Sequence, residues 1–300
     1  MNGQARGTAE MAAAMTLAGT IGWFVVVCGR PVLEVVFWRC LFGAGTLLAV
    51  CAAMGVLRNH LTRRVLLLSV LGGVAIVLNW LLLFGAYART SISIATAVYN
   101  TQPFILVCLG ALFLGERHTL DRFAWLALAF GGLLLIVQVG PGMGMPGHAY
   151  LIGVAMAFAA ALCWAIAALV TKRLAGTPPH LIALIQVCVG VLMLAPFTDF
   201  SHPSAQLSTW GLLVVLGVVH TGLVYVLMYD AIHRLPTHLQ GALSFLYPVV
   251  AIAVDVLAFG RRFEPGQMLG AGAILVAVAG MNGQGVWRRA RKALSPARDA

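Results

Sequence analysis

A chain of 300 residues with 61% hydrophobic and 9% charged residues, at a mean hydropathy of +0.95, carries more apolar side chain than a soluble domain of that size can hide, so lipid must solvate much of it. The formal net charge of +10 would suggest nucleic acid in a soluble protein. Here the basic residues fall in short loops and a terminal tail, where membrane topology and anionic lipid account for them, so no nucleic-acid partner is expected.

Ten apolar segments follow one another at roughly 10–29, 33–56, 65–87, 91–114, 121–139, 150–171, 180–198, 208–232, 237–259 and 265–285. Each is about long enough to cross a ~30 Å hydrocarbon core as an α-helix. The first has Ala- and Gly-rich flanks; with nine spans behind it, it is expected to stay in place rather than be cleaved as a signal peptide. When the connections alternate between two sides, 14 of the 19 Lys and Arg residues share one side, including Arg58, Lys172, Arg234 and the tail from Arg288 to Arg298. The other side receives only Arg30, Arg89, Arg261 and Arg262, with Arg39 left inside a span. The positive-inside bias then puts both termini in the cytoplasm, and the compact loops favour the inner (plasma) membrane of a prokaryote.

Along the chain, polar and aromatic residues gather near mid-depth. Trp23 lies near the centre of the first span. The second holds Glu34 at its solvated rim and Arg39 about 9 Å from the middle, the latter either a structural anchor or a contact for a substrate carboxylate. The third offers Asn79 beside Trp80, Phe84 and Tyr87 at i, i+4, i+7 spacing, and one face of the fourth carries Thr96, Tyr99, Asn100 and Pro103. A Gly/Pro-rich stretch, 141–147, holds no Lys or Arg and reads as an outer loop. Trp164 and Gln186 mark the centres of spans six and seven. Span eight places His220 at the midplane, as a proton relay or as a neutral tie between helices, followed by Tyr225 and Tyr229. On span nine, Ser244, Tyr247, Pro248 and Asp255 share a face, Asp255 near the outer end as an arginine partner or a coupling group. Gly266 and Gly270 give the last span a GxxxG spacing that permits close approach within a monomer or between protomers, so a homodimer and a monomer stand equally.

The deep aromatics lie too far in for an interfacial belt, which leaves cavity lining or core packing. Pro103 and Pro248 each remove a backbone donor in mid-span, as flexing points or static kinks. The six cysteines form no CxxC pair, so neither a metal site nor a disulfide framework emerges, and no cofactor is expected.

The pattern repeats across the midpoint. A shift of 145 brings Pro103 onto Pro248, Gly115 onto Gly260 and Ala97 onto Ala242, and Pro31 precedes Arg39 by eight residues as Pro178 precedes Gln186. The expected organisation is a first five-helix repeat over 1–140, an outer linker over 141–149, a second repeat over 150–287 and a basic cytoplasmic tail over 288–300. Because five is odd, the second copy must enter the membrane in the opposite direction. The fold class is therefore all-α, ten transmembrane helices in two inverted five-helix repeats, an architecture suited to alternating access.

The stretch Asn79-Trp80, Tyr87-Ala88, Ser91-Ile92-Ser93-Ile94-Ala95, Pro103 and Gly115-Glu116-Arg117, echoed by Leu235-Pro236, Pro248 and Gly260, resembles the signature of EamA-type transporters in the drug/metabolite transporter superfamily. Amino-acid exporters of the type called YddG are the nearest subgroup suggested. Arg261 departs from the pattern where a second Gly-Glu pair would stand. The resemblance implies ten helices around a central cavity, with export of amino acids, related metabolites or drugs. The lining residues would be Trp23, Asn79, Trp80, Tyr87, Tyr99, Asn100, Trp164, Gln186, His220, Ser244 and Tyr247, a set suited to amphipathic zwitterions or flat apolar solutes. The expected partners are a small-molecule substrate and the bilayer. Broad drug efflux is the alternative within transport. A membrane-embedded enzyme is the alternative of another class, disfavoured because no HExxH, paired intramembrane Asp or Ser–His arrangement is present.

Overall fold

The computed structural model describes residues 3–87, 89–90, 95, 98–116, 119–137, 148–200, 206–259 and 265–293. The helices are α1 (Gly3–Gly19), α2 (Ile21–Cys28), α3 (Val32–Ala53), α4 (Val56–His60), α5 (Arg63–Tyr87), α6 (Gln102–Leu114) and α7 (Leu120–Val137) in the first half. In the second half they are α8 (His148–Arg173), α9 (Pro179–Leu194), α10 (Leu207–Gly217), α11 (Val224–Arg234), α12 (Thr237–Ser244), α13 (Leu246–Phe259) and α14 (Pro265–Ala293). Among the described residues, five helical stretches are long and apolar enough to cross a membrane: Val32–Ala53, Arg63–Leu83, His148–Arg173, Pro179–Phe197 and Leu207–Arg234. The protein is a multi-pass α-helical membrane protein.

Several stretches expected as unbroken spans are interrupted, each for a local reason. The first breaks at Thr20, whose backbone N–H and hydroxyl both turn back onto the Leu17 carbonyl, at 3.1 and 2.7 Å. In the ninth, Pro248 has no N–H to offer the carbonyl four residues earlier, and the helix breaks at Phe245, whose N–H bonds Ala242 O at 3.2 Å. The fourth breaks at Asn100 and Thr101, so Pro103 stands in the first turn of α6, where a missing donor costs nothing. Both prolines thus follow a break by three residues instead of bending a continuous helix. Span eight carries a π-helical turn over Val218–Leu223 between α10 and α11. Such a turn frees carbonyls, and Thr221 Oγ1 donates to Leu216 O at 2.9 Å.

The packing obeys an exchange of halves. α5 lies along α8 as α1 lies along α11; α9 crosses α5 as α10 crosses α3; α6 meets α8 as α13 meets α1. Two further principal pairs, α3 with α9 and α7 with α14, map onto themselves, and α6 also packs on α12. Two of these crossings are set by glycine. A Cβ on Gly217 would lie 3.0 Å from Gly43 N and 3.1 Å from Arg39 O, so α10 and α3 meet backbone to backbone. A Cβ on Gly73 would lie 3.0 Å from Gln186 Cα, which gives α5 and α9 an equivalent crossing. Arg39 and Gln186, already paired by their spacing from Pro31 and Pro178, therefore occupy equivalent places in the fold.

Candidate functional site

Between these two crossings runs a continuous chain of side-chain contacts. Trp80 on α5 and Tyr225 on α11 are 145 residues apart, the offset that relates Pro103 to Pro248. Their rings meet edge to face, centroids 6.3 Å apart at 82°. The Arg39 guanidinium lies over the Trp80 ring, 4.7 Å from its centroid, and Arg39 Nε donates to Thr221 Oγ1 at 3.1 Å. On the other side, Tyr225 packs edge to face on Tyr229 at 5.4 Å, and the Tyr229 hydroxyl donates to Gln186 Oε1. Edge-to-face pairs contribute about 0.5–1.5 kcal/mol each beyond area burial, and a desolvated cation over Trp about 2 kcal/mol. The row from Arg39 to Gln186 is therefore a rigid aromatic partition with a cation at one end and a neutral amide at the other.

The π-helical turn supplies the next layer. His220 Nε2 lies 2.8 Å from Thr20 Oγ1 at the α1/α2 break, and Phe24 on α2 stacks obliquely on the imidazole at 4.7 Å. Trp23 packs edge to face on Phe24 at 4.9 Å and is only half-buried. The structure thus gathers Arg39, Trp80, Tyr225 and the His220–Thr221 turn in one region, with Gln186 joined through Tyr229, while Tyr247 is half-buried against the main core.

Other expected site residues are placed elsewhere or otherwise used. Asn79 Nδ2 donates to Ala160 O at 2.8 Å and ties α5 to α8. Trp164 is buried in the main core and Tyr99 packs half-buried against it. Asn100 is buried at the break before α6. Ser244 is buried and donates locally to Gly241 O at 2.7 Å. The side chains of Tyr87 and Asp255 lie outside the described residues. Glu34, expected as a solvated rim residue, is instead 8% exposed and accepts Arg30 Nη2 at 2.5 Å. Sequence reasoning missed Thr221, Thr20 and Phe24. The Trp80–Tyr225 relation was available from the 145-residue offset.

A second polar assembly lies at the ends of the helices. Gly115, at φ +65°, closes α6 in the left-handed region and delivers Glu116 to the start of α12. One Glu116 oxygen accepts the Thr237 N–H and hydroxyl at 3.0 and 2.7 Å, and the other accepts Lys172 Nζ at 2.5 Å. Lys172 Nζ also donates to Leu235 O at 2.8 Å. Burial pushes the Glu116 carboxyl upward, but the Lys172 ammonium and the Thr237 donors outweigh it and hold the group below its usual range. Arg6 and Arg234 join Glu10 and Asp230 in a neighbouring network.

The chain is similar to several known proteins. The "Uncharacterized transporter YxxF" of Bacillus subtilis (strain 168) is 32% identical over 275 residues, 91% of this chain and 87% of that protein. The "Threonine/homoserine exporter RhtA" of Escherichia coli (strain K12) is 30% identical over 192 residues, 63% of this chain and 62% of that protein. A solved crystal structure superposes with a TM-score of 0.80 at 20% identity, covering 91% of this chain and 95% of that one, a likeness of fold. The sequence model of the EamA-like transporter family matches twice, over residues 7–138 and 151–283. Two matches that together take in most of the sequence, on halves whose helices pack by mutual exchange, establish that the chain belongs to the EamA-like transporter family.

Proposed function

We propose that the protein is an inner-membrane exporter of small organic solutes, amino acids and related metabolites foremost, working by alternating access. In this reading ten spans form two inverted five-helix repeats with both termini in the cytoplasm, and the solute occupies a central cavity beside the aromatic partition. The observation that carries the reading is the Trp80–Tyr225 contact, made by equivalent residues of the two halves and flanked by Arg39 and Gln186 at equivalent crossings. A site shared equally by both halves is where a solute could be handed from one side to the other as the halves exchange conformations. The exporter named for threonine and homoserine among the relatives, and an aromatic-rich lining with few charges, support amino acids as the class.

The positive-inside topology would place Glu116, Lys172 and Leu235 on one side, the cytoplasmic one. Their clasp, which joins α6, α8 and α12, would then be a cytoplasmic closure that opens when the solute loads. Counterflow of a labelled amino-acid mixture into liposomes containing the purified protein tests the reading. Uptake above protein-free vesicles is expected, and uptake that never exceeds them contradicts it.

A further inference from the structure

We infer that Arg39 forms a carboxylate subsite that reads the acid group and apolar body of a solute and leaves its amine unread. The inference rests on the transporter reading above and narrows its substrate class. Arg39 is 5% exposed, deep within α3 at the glycine crossing with α10. Its Nε is taken by Thr221 and one face by Trp80. Among the described residues the contacts of its guanidinium are those with Thr221 and Trp80, which leave the Nη edge of the fork unused. A guanidinium in a membrane span calls for an anion, and its remaining planar fork matches a carboxylate bidentately.

The protein supplies no such anion among the described residues. Glu34 is engaged by Arg30, Glu10 and Asp230 by Arg6 and Arg234, and Glu116 by Lys172. Asp121 and Asp199 lie at helix ends and have partners of their own. The side chain of Asp255 lies outside the described residues. Trp80 and Thr221 meet Arg39 directly, and Tyr225 lies beyond Trp80. Gln186, its equivalent in the other half, is neutral, so exchange of the halves brings no second charge.

Among the described residues this region holds a cation and no companion carboxylate, so it offers a charged partner to a solute's acid group and none to its ammonium. The Trp80 face that could receive an ammonium is already covered by Arg39. The substrate class is therefore organic carboxylates with an apolar or aromatic body: amino acids together with their 2-oxo, 2-hydroxy and N-acyl relatives. Amides and decarboxylated amines fall outside it.

The test is competition against labelled phenylalanine and leucine in liposomes, using the matched 2-oxo acids, N-acetyl derivatives, amides and amines, with ligand-induced change in tryptophan fluorescence as a binding readout. The 2-oxo and N-acetyl acids are expected to compete as well as the parent amino acids, with amides and amines at least about tenfold worse, the worth of a charge-assisted pair. Arg39→Gln should lose binding of every acid, and Arg39→Lys, which keeps the charge but not the fork, should retain part of it. If Arg39→Gln does not fold, the wild-type panel decides alone. Acceptance of zwitterions with rejection of the 2-oxo and N-acetyl acids overturns the inference and leaves the carrier intact, as does unaltered transport in Arg39→Gln. A folded wild-type protein that binds and moves nothing in the panel overturns the inference together with the amino-acid reading.

Discussion

At Trp80 a single indole serves two neighbours at once: its face takes the Arg39 guanidinium and Tyr225 meets it edge to face. Among the described residues Trp164 has no comparable polar contact, and it lies in the core. The two residues should therefore separate by substitution. Trp80→Ala is expected to lower flux by at least about tenfold while the protein still inserts, since it removes both contacts. Trp164→Ala should chiefly destabilise, by roughly 3–5 kcal/mol for a large-to-small core change. Thermal unfolding in detergent beside liposome flux distinguishes the two. His220, tied to Thr20 across the α1/α2 break, is an interhelical link in this account. His220→Gln should keep the pH profile of transport and lose about 0.6 kcal/mol, the usual worth of such a bond in a membrane. A flattened pH profile would instead identify a proton relay.

The elements show how far the sequence reaches. The depth of Arg39, the pairing of Pro103 with Pro248 and the spacing that matches Arg39 to Gln186 are all visible in one dimension, because they depend on position along a helix. The break at Asn100–Thr101 and the π-helical turn beside His220 are not, because a single shifted backbone bond leaves no mark on an apolar pattern, and the bond from Asn79 to a carbonyl on α8 is not, because its partner is on another helix. Glu34 illustrates the same limit, since a rim position says nothing of an arginine one turn earlier folding onto it. The glycine crossings are a middle case: Gly43 and Gly217 are plain in the sequence, but only packing makes them obligatory. Gly217→Val is expected to cost at least about 1–3 kcal/mol by overpacking against Gly43 and Arg39, with reduced folded yield as the readout. An unchanged melting temperature would deny the close crossing.

At the scale of the whole molecule, the proposed alternating access needs a second conformation in which the Glu116 clasp between α6, α8 and α12 is open. The Glu116 carboxyl lies below the ordinary value of 4.5 in the folded state, so its contribution is complete above that value and disappears as pH falls through the depressed one. Glu116→Gln should reproduce that loss at neutral pH, at about 1–3 kcal/mol, and increase labelling of a cysteine introduced beside Thr237 from the cytoplasmic side. Labelling equal to that of the parent protein would remove the clasp from the gating cycle. The central claim is that the site shared by the halves moves small carboxylate-bearing solutes across a membrane. Liposome counterflow of labelled amino acids, run on the wild-type protein and on Trp80→Ala, tests it most directly. Uptake above empty vesicles is expected of the wild-type protein, lowered at least about tenfold in Trp80→Ala. No uptake by the folded wild-type protein, or equal uptake by the two, would contradict it.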